Sequence, residues 1–229
     1  HTEAKLGLGM VYEELGEFQD AVNTYEEVLK KSPQNIKAQL AIGRVLYMNS
    51  DLERGESSFK QALAIDNRNV DARIGFANCV SRKLPDQART LLEEVLNEQP
   101  NNVEALVGLS ITHYYRKQSE LAKRYLMQAL TINEEAFLPN MVLAQMWPAS
   151  HGIPVLKAML ARSLTDHERS ATLVMLIAKL TKEKQYEEAL FFVEKAENSG
   201  PQGRRKKASN EKVELLKILQ EKNPLTETN

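Results

Sequence analysis

The chain has 229 residues, 42% of them hydrophobic, and its 30 Lys and Arg against 31 Asp and Glu leave a net charge of −1. That balance implies no whole-chain attraction to nucleic acid or to an anionic membrane surface, and no apolar run approaches the roughly 20 residues that span a bilayer. The single cysteine, Cys79, excludes an intrachain disulfide framework and a multi-cysteine zinc site, and suits a reducing compartment.

His1, Thr2 and Glu3 run straight into helix-like sequence, without an initiator Met or a signal-peptide pattern. The expectation is an excised fragment or a processed mature chain. The address is assigned only by default: cytoplasmic, with a bacterial envelope protein after signal cleavage as the alternative.

The stretch from Leu8 to Pro33 sets the pattern for the rest of the chain. Apolar stripes at helical spacing run from Glu3 to Leu15 and from Phe18 to Lys31, with Gly16 as the breaker between them. Leu8, Gly9, Tyr12, Ala21, Tyr25, Val28 and Pro33 then recur in kind about every 34 residues. The second unit offers Ile42, Gly43, Leu46, Gly55, Phe59, Ala62 and Asn67, and the third Phe76, Ala77, Val80, Ala88, Leu92, Val95 and Pro100. The third is one residue short at its Leu84–Pro85 turn. A fourth unit carries Leu109, Ser110, His113, Ala122, Leu126 and Ala129. Asn-rich links join the units at Asn35, Asn67, Asn69, Asn101 and Asn102, where a helix should end and the next be capped.

Past Asn133 the pattern frays. A first helix is expected over Phe137 to Met146, Trp147 and Pro148 stop it, and Gly152 and Pro154 delay the second helix to Ile153 through Arg162. Leu176, Leu180, Ala189, Val193 and Ala196 restore the spacing in a sixth unit. Beyond Gly203 lie the basic Arg204, Arg205, Lys206 and Lys207, then a helix that Ser209 can cap and that carries Leu215, Leu216 and Leu219. The division is four regular repeats over 1–133, a degenerate fifth over 134–169, a sixth over 170–203, and a basic linker, capping helix and disordered tail over 204–229.

These residues and spacings resemble the tetratricopeptide repeat, over about nine-tenths of the chain. The resemblance implies an all-α fold: a right-handed α-solenoid of about six helix-turn-helix tetratricopeptide repeats plus a C-terminal capping helix. It also implies a concave face lined by the first helix of each unit.

In that register Gly9, Gly43, Ala77, Ser110 and Ala144 permit close approach of another backbone, and Tyr12, Tyr25 and Phe59 fill the space around it. One apolar position recurs on the face that the resemblance turns inward: Leu6, Leu40, Ile74, Val107, Met141 and Val174. Around it a partner-binding groove is expected from Leu40, Arg44, Tyr47, Met48, Ile74, Asn78, Arg82, Val107, Ile111, Tyr114 and Tyr115. An apolar floor edged by Arg44 and Arg82 suits an extended peptide or amphipathic helix with some acidic character, and Tyr and Arg commonly dominate interface energy. Met48, Tyr114 and Tyr115 can alternatively pack between adjacent first helices.

Family members that bind heat-shock chaperones clamp a C-terminal carboxylate with Lys, Asn and Arg on three first helices. Here those positions hold Leu6, Met10, Ala41, Asp71 and Gly75, so no such carboxylate clamp is expected.

Chemistry is sparse elsewhere. His1, His113, His151 and His167 are scattered without metal-ligand spacing, Cys79 reads as a buried thiol, and no phosphate-binding glycine loop occurs. Paired acids such as Glu13 and Glu14 read as solvated helix faces. No enzyme, cofactor or metal is expected, and the basic cluster at Arg204 reads as a solvated linker. The leading expectation is an adaptor or scaffold that binds a protein partner in its groove. A structural subunit buried in an assembly, self-association through an apolar end, and a docking segment of a larger enzyme stand beside it.

Overall fold

A computed structural model of the chain describes residues 2–162, 164–197, 212 and 215–217. The chain divides into two compact units, His1–Val142 and Leu143–Asn229. The first contains four helix pairs: α1 (Thr2–Leu15) with α2 (Phe18–Lys31), α3 (Ile36–Met48) with α4 (Leu52–Ile65), α5 (Val70–Val80) with α6 (Pro85–Glu98), and α7 (Val103–Tyr115) with α8 (Ser119–Ile132). Helix α9 (Phe137–Met146) contains the boundary between units, and α10 (Ala149–Leu160), α11 (Asp166–Lys182) and α12 (Tyr186–Glu197) belong to the second. No strand occurs among the described residues.

Helices α1 to α8 pack each on the next, and α3, α5 and α7 also touch in succession, so the first helices of these repeats stand side by side. The punctuation is local chemistry. Asn35, Asn69 and Asn102 precede α3, α5 and α7, and their side chains accept from the N–H of Ala38, Ala72 and Ala105 at 3.0, 2.9 and 2.9 Å, satisfying one orphan donor of each helix. Within the repeat, the turn between the two helices requires a left-handed residue. Gly16 supplies it at φ 74°, and Ser50 and Lys117 adopt it at 63° and 61° without glycine's freedom. The third repeat, one residue shorter there, instead opens α6 with Pro85 in its first turn.

The core of the first unit lies between successive pairs. Tyr25, Phe59, Leu92 and Leu126 are buried at one position of the second helices, each four residues after a buried Ala21, Gly55, Ala88 or Ala122. Rings fill the space beside Gly9 and Gly43, and the expected close approach of backbones is present as well, since a Cβ on Gly55 would lie 3.4 Å from the Gly43 carbonyl oxygen. A Cβ on Gly9 would strike the Tyr25 ring, and one on Gly43 would lie 2.9 Å from the Phe59 ring. That ring reaches the next repeat as well, where a Cβ on Gly75 would collide with it.

In the second unit, Leu156, Met159, Leu176, Leu180, Ala189 and Val193 are buried together with residues 143 and 144. Helix α10 starts at Ala149, four residues earlier than its sequence suggests, and passes through Gly152 and Pro154. Burial of Ile153, Leu156 and Met159 along one side stabilises it while Pro154, with its ring exposed, forfeits one backbone bond. Gly152 is required here, because a Cβ would lie 2.6 Å from the Ala144 carbonyl oxygen. Thr165 and Glu168 form a reciprocal capping box at the start of α11. Of the expected capping helix, residues 212 and 215–217 are helical, Leu215 is buried, and Lys212 Nζ lies 3.6 Å from Glu194. Ser209, the basic residues 204–207 and the tail at 225–229 lie outside the described residues.

Candidate functional site

The ends of three neighbouring helices carry five of the eleven candidate groove residues. Tyr47 and Met48 end α3, Arg82 lies in the turn after α5, and Tyr114 and Tyr115 end α7. Tyr114 and Tyr115 are each 47% exposed, their rings meeting edge to face at 5.9 Å, and Met48 is 41% exposed. Tyr47 is half-buried and packs on the core around Phe59. Burial first, with smaller contributions from Cys79 and Tyr115, pushes its hydroxyl up to about 12.

Not every expected groove residue presents a surface. Ile74 and Val107 are buried, at 7% and 1% exposure, because the inter-repeat packing that places them on the inner side also closes over them. They are core. Leu40 is half-buried against the same cluster, and Ile111 is half-buried on α7. Asn78 is half-buried, and its Oδ1 is shielded from solvent with no hydrogen-bond donor. The room it occupies is left by Gly108, whose Cβ would lie 2.7 Å from it.

Arg44 is exposed but engaged. Its guanidinium holds Glu13 from the preceding repeat, with Nη2 2.8 Å from Oε1. Glu13 is therefore no solvated acid: its side chain is 11% exposed and also accepts from the Tyr25 hydroxyl at 2.5 Å. The Glu13 hydrogen bond and charge outweigh the burial that opposes the Arg44 charge, and raise its pKa. The partners lie nearly one repeat apart in the chain, and no short motif announces them.

Arg82 opens onto a cleft of about 560 Å³ that residues 50–53, Glu56, Cys79 and Lys83 also line. Lys83 and the acids of this cleft, Asp51, Glu53 and Glu56, were not evident as neighbours in the sequence, since a turn and the start of a separate helix converge there. Glu56 is paired with Lys60 at 2.6 Å and Asp51 caps α4. Cys79 is 5% exposed, and burial first, then the Glu56 charge, push its thiol up to about 12. Such a thiol carries little nucleophilic thiolate near neutral pH.

Other polar groups act within the fold. His113 is buried, stacks on Tyr125 at 5.3 Å and places Nδ1 2.7 Å from Gln118. Arg73 is buried against Glu98, with contacts of 2.8 and 2.7 Å. In the second unit Lys179 donates to the Trp147 carbonyl at 3.0 Å, and burial lowers its pKa. Among the described residues no group of three or more His, Cys, Asp or Glu side chains is placed to hold a metal ion. No described helix is long and apolar enough to cross a membrane.

Residues 7–136 match the family model of the cytochrome c-type biogenesis protein H TPR domain. The CTR9 homolog of Arabidopsis thaliana is 27% identical over 131 residues, which are 54% of this chain and 12% of that protein. The fold resembles yeast Tom70 with a TM-score of 0.64 at 13% identity, over 97% of this chain and 48% of the other. It resembles PilF of Pseudomonas aeruginosa with a TM-score of 0.55 at 16% identity, over 86% and 90% of the two chains. The chain thus spans a small part of the plant protein and about half of the yeast one.

Proposed function

The chain belongs to the tetratricopeptide-repeat family, a helical-repeat scaffold suited to protein–protein interaction, and we propose that it is a non-enzymatic adaptor that binds a segment of a partner protein at the ends of α3, α5 and α7. The observation that carries this reading is the exposed pair Tyr114 and Tyr115 at the end of α7, with half-buried Tyr47 at the end of α3 and Arg82 in the turn after α5. Large rigid aromatics left half in solvent contribute contact area at little entropic cost, and Arg can pair with a carboxylate through two donors. A partner peptide or amphipathic helix with an apolar anchor and an acidic residue has the matching chemistry. Arg44, engaged by Glu13, contributes to the wall of this surface and not to its free charge.

The test is quantitative affinity capture with wild type beside Arg82→Glu/Tyr114→Ala/Tyr115→Ala, with melting curves for both. Loss of the wild-type partners from a variant that melts within a few degrees of wild type supports the reading. Recovery of the same partners at the same yield removes these residues from it.

A further inference from the structure

The turns that join the two helices of each repeat follow one another along one edge of the first unit. Arg116 of the fourth turn holds Asp86 at the start of α6, and the cleft of about 560 Å³ lies between residues 50–53 of the second turn and Arg82 and Lys83 of the third. Glu17 is the charged residue of the first turn and Asp51 that of the second, whereas the third carries Arg82 and Lys83 and the fourth Arg116 and Lys117. Asp20, Glu53, Asp86 and Glu120 add one acid to the first turn of every second helix, where the helix dipole favours it in all four repeats alike. The edge is therefore acidic over the first two repeats and basic over the next two, and the sign changes at the cleft. Glu17, Glu53, Arg82, Lys83 and Lys117 are exposed, and among the described residues no opposite charge pairs with them. Leu52 and Leu84 flank the change of sign at 36% and 43% exposure. The second and third turns each have a repeat on either side, so their exposure does not come from an end of the array.

We propose that two copies of this chain pair through this edge, about a twofold axis that passes through the cleft. A twofold contact sets one surface against itself, so it requires a surface that is its own complement. An axis between the second and third turns lays the second turn of one copy on the third of the other, and the first on the fourth. Glu53 then meets Lys83 of the second copy, Glu17 meets Lys117, and Leu52 meets Leu84, each pairing being made twice. Alignment of first turn on first turn would set like charges against each other, so the charges fix the direction of pairing, and the leucines supply apolar contact. Four repeats at about 10 Å each, across a width of about 20 Å for two helices, offer about 800 Å² per copy, the area of a stable interface. Arg82 borders both this edge and the proposed partner surface, but Tyr114 and Tyr115 take no part in the pairing, so the inference does not depend on that reading.

Sedimentation equilibrium of the 229-residue chain at low and high salt tests the pairing, beside the charge-reversed variants Lys83→Glu/Lys117→Glu and Glu17→Lys/Glu53→Lys. Wild type should dimerise, and more weakly at high salt. Each variant alone should dimerise at least tenfold more weakly, since like charges then face each other across the axis. An equimolar mixture of the two should recover the dimer, because each edge then meets its complement, and that recovery also shows that both variants fold. Tyr114→Ala/Tyr115→Ala should leave the dimer intact. A wild type that is monomeric at every concentration overturns the proposal, as does a mixture that stays monomeric. A dimer that both charge-reversed variants keep, or that the tyrosine variant loses, overturns it too, because the contact then lies elsewhere.

Discussion

Arg44 holds Glu13 across the junction of the first two repeats, its Nη2 within 2.9 Å of both carboxylate oxygens and its Nε 3.2 Å from one. The Tyr25 hydroxyl reaches the same carboxylate, so one acid ties α1, α2 and α3 together. Desolvation first, then the Glu13 hydrogen bond and charge, push the Tyr25 hydroxyl far above its ordinary range.

Glu13→Ala should therefore destabilise the chain by about 1–3 kcal/mol, since it leaves a buried hydroxyl without its acceptor. Arg44→Ala should cost less, about 0.5–1 kcal/mol, because half of that side chain is already in water. In urea denaturation the double variant should fall short of the sum of the two. Strict additivity would mean that the pair is not coupled.

Tyr25→Ala should cost about 3–5 kcal/mol, as for a large aromatic removed from a packed core. Tyr25→Phe, which keeps the ring and loses only the bond to Glu13, should cost about 1 kcal/mol. Thermal melts of the two variants separate packing from hydrogen bonding.

Gly7→Ala and Gly75→Ala change the same residue at the same repeat position and should move stability in opposite directions. The first has open space and gains about 0.5–1 kcal/mol from helix propensity. The second places a methyl group against the Phe59 ring, an overpacking that costs about 1–3 kcal/mol. Equal melting temperatures would contradict the asymmetry of the two faces.

Lys117 turns between α7 and α8 with φ 61°, a conformation that costs a side-chain-bearing residue about 1–2 kcal/mol. Lys117→Gly should raise stability by about 0.5–1 kcal/mol, part of the gain being lost to the unfolded chain's greater freedom. Lys117→Val at the same turn should lower it, and differential calorimetry reads both.

Cys79 should react slowly with an alkylating reagent at pH 8 and rapidly once denaturant exposes it. Its thiol, pushed from an ordinary 9.0 to about 12, is held protonated in the fold. The stability this contributes is fully present below pH 9 and is lost as pH rises toward 12. Alkylation at pH 8 that is as fast in native protein as in urea would place the thiol in solvent.

Local and periodic features were legible before any coordinates. The spacing of Gly9, Tyr12, Ala21 and Tyr25 specified helix pairs, the Asn links specified caps, and the placement of Cys79 within a first helix specified burial. Each of these follows from one helix and its immediate neighbours, where a period of 3.6 residues reports which side is covered. Gly152 and Pro154 misled for a related reason: local propensity argues for a helix that starts only at Ile153, whereas α10 starts at Ala149, with Ile153, Leu156 and Met159 buried along it.

What only the tertiary structure decided is how the faces meet. Arg44 and Arg82 both read as edges of one groove, yet one is held by Glu13 and the other borders an open cleft. Ile74 and Val107 share a face with Leu40, yet successive repeats close over them. Gly7 and Gly75 hold one repeat position, yet a phenyl ring fills the space at Gly75 and the space at Gly7 is open. Periodicity determines the side of a helix on which a residue lies. Whether that side is filled depends on another helix, and on the few ångströms by which side chains from different helices reach or miss one another.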